Sequence, residues 1–321
     1  MLSFSPQEIE RSIAFYRDKL ARQPRVDFNK RWVVQLARPL FYLAYLDRRA
    51  LKKHRLKAER RTLHVGERPI RVRIIRSPDP PRGVIVDIHG GGWTMARAVN
   101  NDTLNAEFAA AGYVVLSIDY HYAPEHPFET LIEECTTALR WALRNCETEF
   151  GTSNVFLNGD SAGAHLSLCA AQRLKDEPHY GRLKAMVLRY GCYDLSATPS
   201  VREASSDVLV FYGPSLRQFF ERITGRSDET ARRDPKISPL YGDFESLPPA
   251  LLVVGTADPL IDDSRLVSHA MRKAGTDHEF ILVPEAPHSF DRFPTPVAEK
   301  FNAYARAWIA QHLPSARRTE H

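Results

Sequence analysis

The sequence GDSAG at residues 159–163 places a serine between two glycines, and it limits the fold more than any other stretch of the chain. Residues 155–158 before it are typical of a short buried strand, and residues 164–174 after it have the apolar spacing of a helix. A serine at such a strand-to-helix turn is the nucleophile-elbow pattern G-x-S-x-G. A Cβ atom at either glycine would collide with the neighbouring strand or helix, and glycine tolerates the backbone angles of a tight turn. The pattern predicts that the Ser161 hydroxyl projects from the end of a sheet.

Strand and helix patterns alternate along most of the chain. The predicted strands are residues 61–65, 70–75, 83–88, 113–118, 155–158, 185–190, 250–254 and 279–283. Most of the stretches between them have the apolar spacing of amphipathic helices. Such alternation favours a mostly parallel sheet with helices on both faces. The predicted fold class is therefore α/β, with a mostly parallel eight-stranded sheet.

Two stretches of the chain depart from this alternation. Residues 1–60 are predicted to be helical, and the alternation lapses again at about 195–247. Two apolar stripes mark the first stretch: Ile9-Ile13-Tyr16-Leu20 and Trp32-Leu36-Leu40-Leu43. Because short amphipathic helices are marginal alone in water, both stripes need a partner. We predict N-terminal cap helices in residues 1–60 that pack with the insertion at about 195–247 over a catalytic domain of residues 61–321.

A nucleophilic serine requires a base, and the base requires an orienting acid. In this type of fold the expected chain order is serine, then acid, then histidine, each in a loop after a strand. Asp258 follows the predicted strand 250–254, and His288 follows the strand 279–283. Both therefore lie at the carboxyl ends of strands, where α/β sites form. Ser161, Asp258 and His288 are the predicted catalytic residues.

Other histidines are weaker candidates for the base. His165 is nearest to Ser161 in the sequence, but it belongs to the helix that runs away from the strand ends, so we expect it to be a packing residue. His278 precedes its strand, and His312 lies in the terminal helix. Neither is placed to reach Ser161.

The run HGGGW at residues 89–93 directly follows the buried strand 83–88. Acyl transfer passes through an oxyanion that preorganised backbone N–H groups must stabilise. Three successive glycines allow the backbone to turn its amides toward a substrate with no Cβ in the way. We predict that Gly91, Gly92 and Ala162 form the oxyanion hole, and that His89 holds the loop in place.

Charge and cysteine content narrow the range of partners. The chain has 321 residues and a formal net charge of +5, and much of its basic charge lies in residues 48–61. A nucleic-acid or membrane-surface role is open there, but the solvated face of a short helix explains the charge equally well. The cysteines have no metal-ligand spacing and are expected to be buried: Cys135, Cys146, Cys169 and Cys192.

No targeting or membrane segment is visible in the sequence. The first residues lack a basic region followed by an apolar run, so no signal peptide is predicted. The apolar stretch 36–46 is too short to span a bilayer and contains Arg38 and Pro39. We expect a cytoplasmic protein without stable membrane insertion, nucleic-acid partner or metal, and the sequence leaves a homodimer open.

Several motifs together resemble the hormone-sensitive-lipase-like family of α/β-hydrolases, in particular its bacterial esterases. They are HGGGW at 89–93, DYHYAPEHPF at 119–128, GDSAG at 159–163, Asp258-Pro259-Leu260 and His288-Ser289-Phe290. The resemblance implies an α/β-hydrolase fold, a helical cap and no cofactor. It also implies that Asp160 borders the acyl pocket, that Glu125 supports the site loops, and that His89 and Trp93 contribute to the pocket or its support. The chain has His121-Tyr122 where the family often has Arg-Leu.

Together these features predict a serine carboxylesterase that hydrolyses short-chain esters through an acyl-enzyme. An amidase or formamidase with the same triad is the nearest alternative. A catalytically silent small-molecule receptor on the same fold is a further alternative, which the presence of His288 disfavours.

Overall fold

A twisted sheet crosses the molecule in the computed structural model, which describes residues 2–44, 49–65 and 68–314. Its strands are β1 (Ala58–Leu63), β2 (Ile70–Ile75), β3 (Gly83–Ile88), β4 (Tyr113–Asp119), β5 (Val155–Asp160), β6 (Leu183–Arg189), β7 (Ala250–Gly255) and β8 (His278–Val283). Their order across the sheet is β1-β2-β4-β3-β5-β6-β7-β8. β2 is antiparallel to both of its neighbours, and the strands from β4 to β8 run parallel. The predicted fold class is confirmed.

Helices connect the strands and cover the sheet. The α-helices are α1 (Pro6–Phe15), α2 (Arg31–Ala44), α3 (Ala50–Lys53), α4 (Asp102–Ala110), α5 (Phe128–Phe150), α6 (Ala162–Leu174), α7 (Pro199–Arg202), α8 (Leu216–Thr224), α9 (Glu229–Arg232), α10 (Ile261–Ala274) and α11 (Pro296–Gln311). A π-helical turn, Tyr16–Leu20, extends α1. Short 3₁₀ turns lie at Ala98–Asn101, Tyr180–Arg182, Gly213–Ser215, Pro239–Tyr241 and Phe290–Arg292.

The core lies on both faces of the sheet because the central strands are fully buried. Side chains alternate between the faces along a strand. In β3, Val84 packs in the same apolar cluster as Leu139 of α5 and Leu168 of α6. Its neighbour Ile85 belongs to the cluster on the other face, with Phe301 of α11. The parallel strands therefore end at one buried edge, from which the site loops emerge.

β1 begins three residues earlier than its predicted start at residue 61. Its first residues, Ala58 to Arg60, are charged or small and show no apolar alternation, because β1 pairs only with β2 at the edge of the sheet. Within the basic stretch 48–61, residues 50–53 form α3 and residues 58–61 belong to this edge strand. Among its basic side chains, Lys53 pairs with Glu107 and Arg61 pairs with Glu149.

The first N-terminal stripe packs against α11. Glu8 forms an ion pair with Lys300 at 2.8 Å, and the Ser12 hydroxyl accepts from the amide of Val297. Leu20 is buried in the cluster that contains α11. We expected the insertion to be the principal partner of this stripe, and this expectation is wrong. An apolar stripe shows only that a helix has a partner, because the spacing carries no information about which surface that partner presents.

The second stripe faces outward, against expectation. Trp32, Leu36, Leu40 and Leu43 are exposed, whereas Val34 of the same helix is buried. α2 has apolar residues on both of its faces, so the period of its sequence could not show which face is inside. The chain just before α2 does meet the insertion: the amide of Tyr212 donates to the carbonyl of Val26 at 3.0 Å.

None of the helices in the described ranges is both long enough and apolar enough to cross a bilayer.

Substitution of one leucine in each N-terminal stripe tests whether the first stripe is buried and the second is exposed. Leu20 is 4% exposed and Leu36 is 63% exposed. Leu20→Ala should lower the free energy of unfolding by about 2–5 kcal/mol, because it leaves a cavity in the core. Leu36→Ala should change it by less than about 0.5 kcal/mol. Urea unfolding of both variants measures the difference, and equal losses would contradict the packing of the two stripes described above.

Candidate active site

Ser161 lies at the turn between β5 and α6 with a left-handed backbone, φ +52° and ψ −120°. Its amide donates to the carbonyl of Arg189 at the end of β6, at 2.8 Å. A Cβ at Gly163 would overlap the carbonyl oxygen of Ile88, and one at Gly159 would overlap the Ser167 hydroxyl. Both glycines are therefore required by close approach of the backbone, as the sequence predicted. The turn holds the serine in a conformation that is strained for a residue with a side chain.

The structure brings Ser161, His288 and Asp258 into one hydrogen-bonded chain. Nε2 of His288 lies 2.9 Å from Oγ of Ser161, and Nδ1 of His288 lies 2.8 Å from Oδ2 of Asp258. The other oxygen of Asp258 accepts from the amide of Leu260 at 2.9 Å. Because the carboxylate can only accept, Nδ1 carries the proton and Nε2 is free to accept one from the serine. Both His288 and Asp258 are buried.

The glycine loop after β3 is held against the serine. Gly91 and Gly92 have positive φ values of 103° and 57°. Tyr120 donates to the carbonyl of His89 at 2.8 Å and stacks on its ring, with centroids 4.3 Å apart. Burial lowers the pKa of His89, so its ring is neutral near pH 7. His89 is thus in contact with Tyr120 and with the carbonyl of Gly90, and its predicted role in holding the loop stays a prediction.

Ala162 begins α6, and the first amides of a helix have no acceptor within the helix. Gly91 and Gly92 line the same cavity as Ser161. The glycine loop and the N-terminus of α6 therefore both lie next to Ser161. The predicted oxyanion hole of Gly91, Gly92 and Ala162 stays a prediction.

His165 is a packing residue. Trp93 donates its indole N–H to Nδ1 of His165 at 3.3 Å, and Nε2 of His165 lies 2.7 Å from the carbonyl of Ile237. Burial lowers the pKa of His165 to about 4, so the ring stays neutral. Both of its nitrogens are already engaged, and it connects Trp93 of the HGGGW loop to the insertion.

Asp160 forms a buried ion pair with Arg292, with Oδ2 and Nη2 2.9 Å apart. Asn101 also donates to Asp160, at 3.1 Å. Burial alone would raise the pKa of Asp160, but the charge and hydrogen bond of Arg292 outweigh it and lower that pKa. Sequence reasoning missed Arg292. Its position four residues after His288, in the loop that also holds the predicted base, was the available signal.

Glu125 lies at the outer side of the site, where it pairs with Arg38 of α2 at 2.8 Å. Arg38 also donates to the carbonyl of Thr94, next to the glycine loop, at 2.6 Å. Glu125 therefore connects the loop after β4 to α2 and, through Arg38, to the HGGGW loop. Its predicted support of the site loops stays a prediction.

The serine opens into a cavity of about 80 Å³. Its aromatic lining comes from three parts of the chain: Phe28, Phe41, Trp93, Phe211, Phe219 and Phe220. The ring of Phe211 lies 5.0 Å from that of His288. Only Trp93 among these was predicted, because the other five belong to cap segments without a motif. Within the described ranges, no cluster of three or more His, Cys, Asp or Glu side chains is placed to hold a metal ion.

This fold and site define an α/β-hydrolase. A family model described as alpha/beta hydrolase fold matches residues 85–292, and the chain belongs to that family. Its relatives include the carboxylic ester hydrolase LipN of Mycobacterium tuberculosis, 33% identical over 64% of this chain and 57% of LipN. The chain thus spans little more than half the length of that relative.

Solved structures agree with this assignment over nearly the whole chain. An esterase from Pyrobaculum calidifontis superposes with a TM-score of 0.80 at 26% identity, covering 97% of this chain and 100% of its own. An esterase described as belonging to the bacterial hormone-sensitive lipase family gives a TM-score of 0.76, also at 26% identity, with the same coverage. The predicted family resemblance is confirmed.

The buried pair between Arg292 and Asp160 generates a stability prediction. Arg292→Gln should cost about 3 kcal/mol in unfolding free energy at pH 7, because it leaves a buried carboxylate without its cation. The loss should shrink as the pH falls below about 4. A carboxyl with a lowered folded pKa contributes its full stability above the unfolded pKa and loses it as the pH falls toward the folded pKa.

Chemical denaturation at pH 7 and at pH 3.5 checks this expectation. Arg217→Gln is the matched control, because its pair with Glu229 lies at the surface and should contribute less than about 1 kcal/mol. Equal losses for the two variants at pH 7 would contradict the role assigned to the buried pair.

Proposed function

We propose that this protein is a serine carboxylic ester hydrolase that acts on short-chain esters. The observation that carries the proposal is the hydrogen-bonded chain from Ser161 through His288 to Asp258, at the base of an apolar cavity. A serine, a base and an orienting acid in this geometry are the apparatus of acyl transfer. The esterase relatives and neighbours support the same reaction class.

In the proposed first half-reaction, Oγ of Ser161 attacks the ester carbonyl while Nε2 of His288 accepts the serine proton. Asp258 holds the imidazole by accepting from Nδ1 and stabilises the imidazolium that forms. His288 then gives its proton to the departing alcohol as the carbon–oxygen bond of the ester breaks. The product is an acyl-enzyme on Ser161.

In the second half-reaction, water attacks the acyl carbonyl and His288 accepts the water proton. The tetrahedral intermediate collapses, the proton returns to Oγ of Ser161, and the carboxylic acid leaves. In both halves the negative oxygen lies against the amides of Gly91, Gly92 and Ala162. These donors are preorganised because the loop and the helix are already fixed by packing.

The small cavity and its aromatic walls favour a short, apolar acyl group. Phe28 lies over Gly92, close enough that a side chain on that glycine would contact its ring. Phe28 and Phe41 come from the N-terminal segment, whereas Phe211 and Phe219 come from the insertion. We therefore assign the cap function to residues 26–44 together with the insertion at about 195–247, over a catalytic domain that starts near residue 61.

The amidase or formamidase alternative uses the same steps with an amine as the leaving group. Parallel assays with p-nitrophenyl esters of two to twelve acyl carbons and with an anilide separate it from the proposed esterase. Faster turnover of the anilide would favour the alternative.

We also assign the activity to the cytoplasm, because all four cysteines are free and buried and a reducing compartment keeps thiols in that state.

Ser161→Ala should lower kcat by at least about 10⁴-fold, because the triad acts as a unit. His288→Ala should lose a comparable factor. The thermal transition of Ser161→Ala should stay within about 2 °C of wild type, since the serine hydroxyl is engaged with His288 and not with the core. Steady-state hydrolysis of p-nitrophenyl acetate measures the loss.

Ser289→Ala is the control, because Ser289 lies in the same cavity outside the hydrogen-bonded chain. It should keep most of the activity. A Ser161→Ala enzyme that retained a tenth of wild-type kcat would remove Ser161 from the role of nucleophile.

Phe28→Ala should shift the acyl-length preference toward longer esters, because it opens the cavity beside the glycine loop. The ratio of kcat/KM for the octanoate ester to that for the acetate ester should rise at least about tenfold. Phe15→Ala is the matched control, since Phe15 is another partly buried phenylalanine of the N-terminal segment that packs on Phe293, outside the cavity. An unchanged ratio in Phe28→Ala would show that Phe28 does not limit the acyl group.

A further inference from the structure

The outer face of α2 carries the most exposed large apolar side chains among the described residues. Trp32, Leu36, Leu40 and Leu43 are 63–67% exposed, and the next in exposure, such as Leu266 and Leu282, reach only 38–40%. These four residues are named the α2 ridge. Their spacing of four, four and three residues puts them on one side of the helix. The ridge is about 16 Å long at 1.5 Å per residue.

The opposite face of α2 is fixed to the protein, so the ridge cannot turn inward. Val34 is buried, and Arg38 pairs with Glu125 at 2.8 Å while donating to the carbonyl of Thr94. Tyr42 accepts at its carbonyl from the side chain of Asn100 at 3.2 Å. Turning the helix over would break these contacts and separate Arg38 from Glu125. A contiguous exposed apolar face of this kind marks an interaction surface.

Charge around the ridge indicates what that surface binds. Residues 28–46 contain three charged residues, all of them basic. They are Lys30, which pairs with Asp27 at 3.4 Å, Arg31, and Arg38 on the inner face. Lys30 and Arg31 are exposed at the start of α2. Two ridges packed together from two copies of the chain would bring like charges together. Anionic headgroups complement them, and a tryptophan with leucines beside lysine and arginine is the composition of helices that lie in a lipid interface.

We propose that the α2 ridge docks the protein on an anionic lipid surface, with α2 lying in the plane of the interface. Its apolar side chains enter the boundary between headgroups and acyl chains, and Lys30 and Arg31 at the start of the helix lie against the phosphates. This is peripheral, salt-sensitive binding without a membrane-spanning segment. The proposal does not depend on the catalytic function.

One consequence does rest on the proposed esterase function. Phe41 on the inner face of α2 lines the cavity that contains Ser161. A protein docked by the ridge therefore has one helix between the lipid and its site. Apolar esters that partition into the membrane are then the substrates at highest local concentration.

Vesicle binding of the full-length protein tests the proposal. In a co-sedimentation assay, the protein should pellet together with vesicles of 70% phosphatidylcholine and 30% phosphatidylglycerol. Salt at 0.5 M should weaken the binding because it screens the headgroup charge. Trp32 fluorescence should shift to the blue on binding. Trp32→Phe should keep the binding and lose most of that shift, which assigns the shift to the ridge.

The triple variant Trp32→Ser, Leu36→Ser, Leu40→Ser should bind these vesicles at least about tenfold more weakly. Its thermal unfolding should match that of wild type, because the three side chains are exposed. The control is Leu266→Ser with Leu282→Ser, which removes two exposed leucines of α10 and β8. This double variant should bind as wild type does.

Several results would overturn the proposal. They are absence of binding by wild type, equal binding by wild type and the triple variant, and equal binding to vesicles of pure phosphatidylcholine. A different outcome is a dimer of the wild-type protein in sedimentation equilibrium, a monomeric triple variant, and no vesicle binding by either. That result would assign the ridge to a second copy of the chain. The binding assay needs no turnover, so a lack of esterase activity would refute the proposed function and leave the docking result intact.

Discussion

The close approach of Gly163 to the carbonyl of Ile88 is the contact on which the site depends. It lets α6 start directly against the end of β3, and the amide of Ser161 then reaches the carbonyl of Arg189 at the end of β6. The turn is thereby fixed to three strands at once. Because the glycine loop begins at the residue after Ile88, the same contact sets the distance between the serine and that loop. A side chain at Gly163 would separate both the serine and the glycine loop from the sheet.

Two buried ion pairs hold the histidine loop to the same strands. Arg189 of β6 pairs with Asp291 at 2.7 Å, and Asp160 at the end of β5 pairs with Arg292. Asp291 also accepts from the hydroxyl of Tyr190 at 2.6 Å. Buried charges are costly unless they are paired, so the loop that carries His288 has one favourable position. The pairs thus contribute more to the position of His288 than to net stability.

The roof of the cavity is assembled from segments far apart in the chain. The segment before α2 joins the insertion through the bridge between Val26 and Phe211 and through the rings of Phe28 and Phe219, whose centroids lie 5.3 Å apart. α2 then extends over the site with one face on the protein and the other exposed. A helix with two apolar faces suits a position between a cavity and an external surface.

The sequence by itself determined the features in which a local backbone demands particular residues. Close approach requires glycine at 159 and 163, and apolar alternation gave the eight strands and the fold. The predicted chain order also named the three residues that the structure hydrogen-bonds together. Tertiary structure alone decided the packing of α1 on α11, the pairing of Arg292 with Asp160, and the outward orientation of Trp32. The physical reason is that periodicity is a property of neighbours in the chain, whereas partners are chosen by contacts between distant residues.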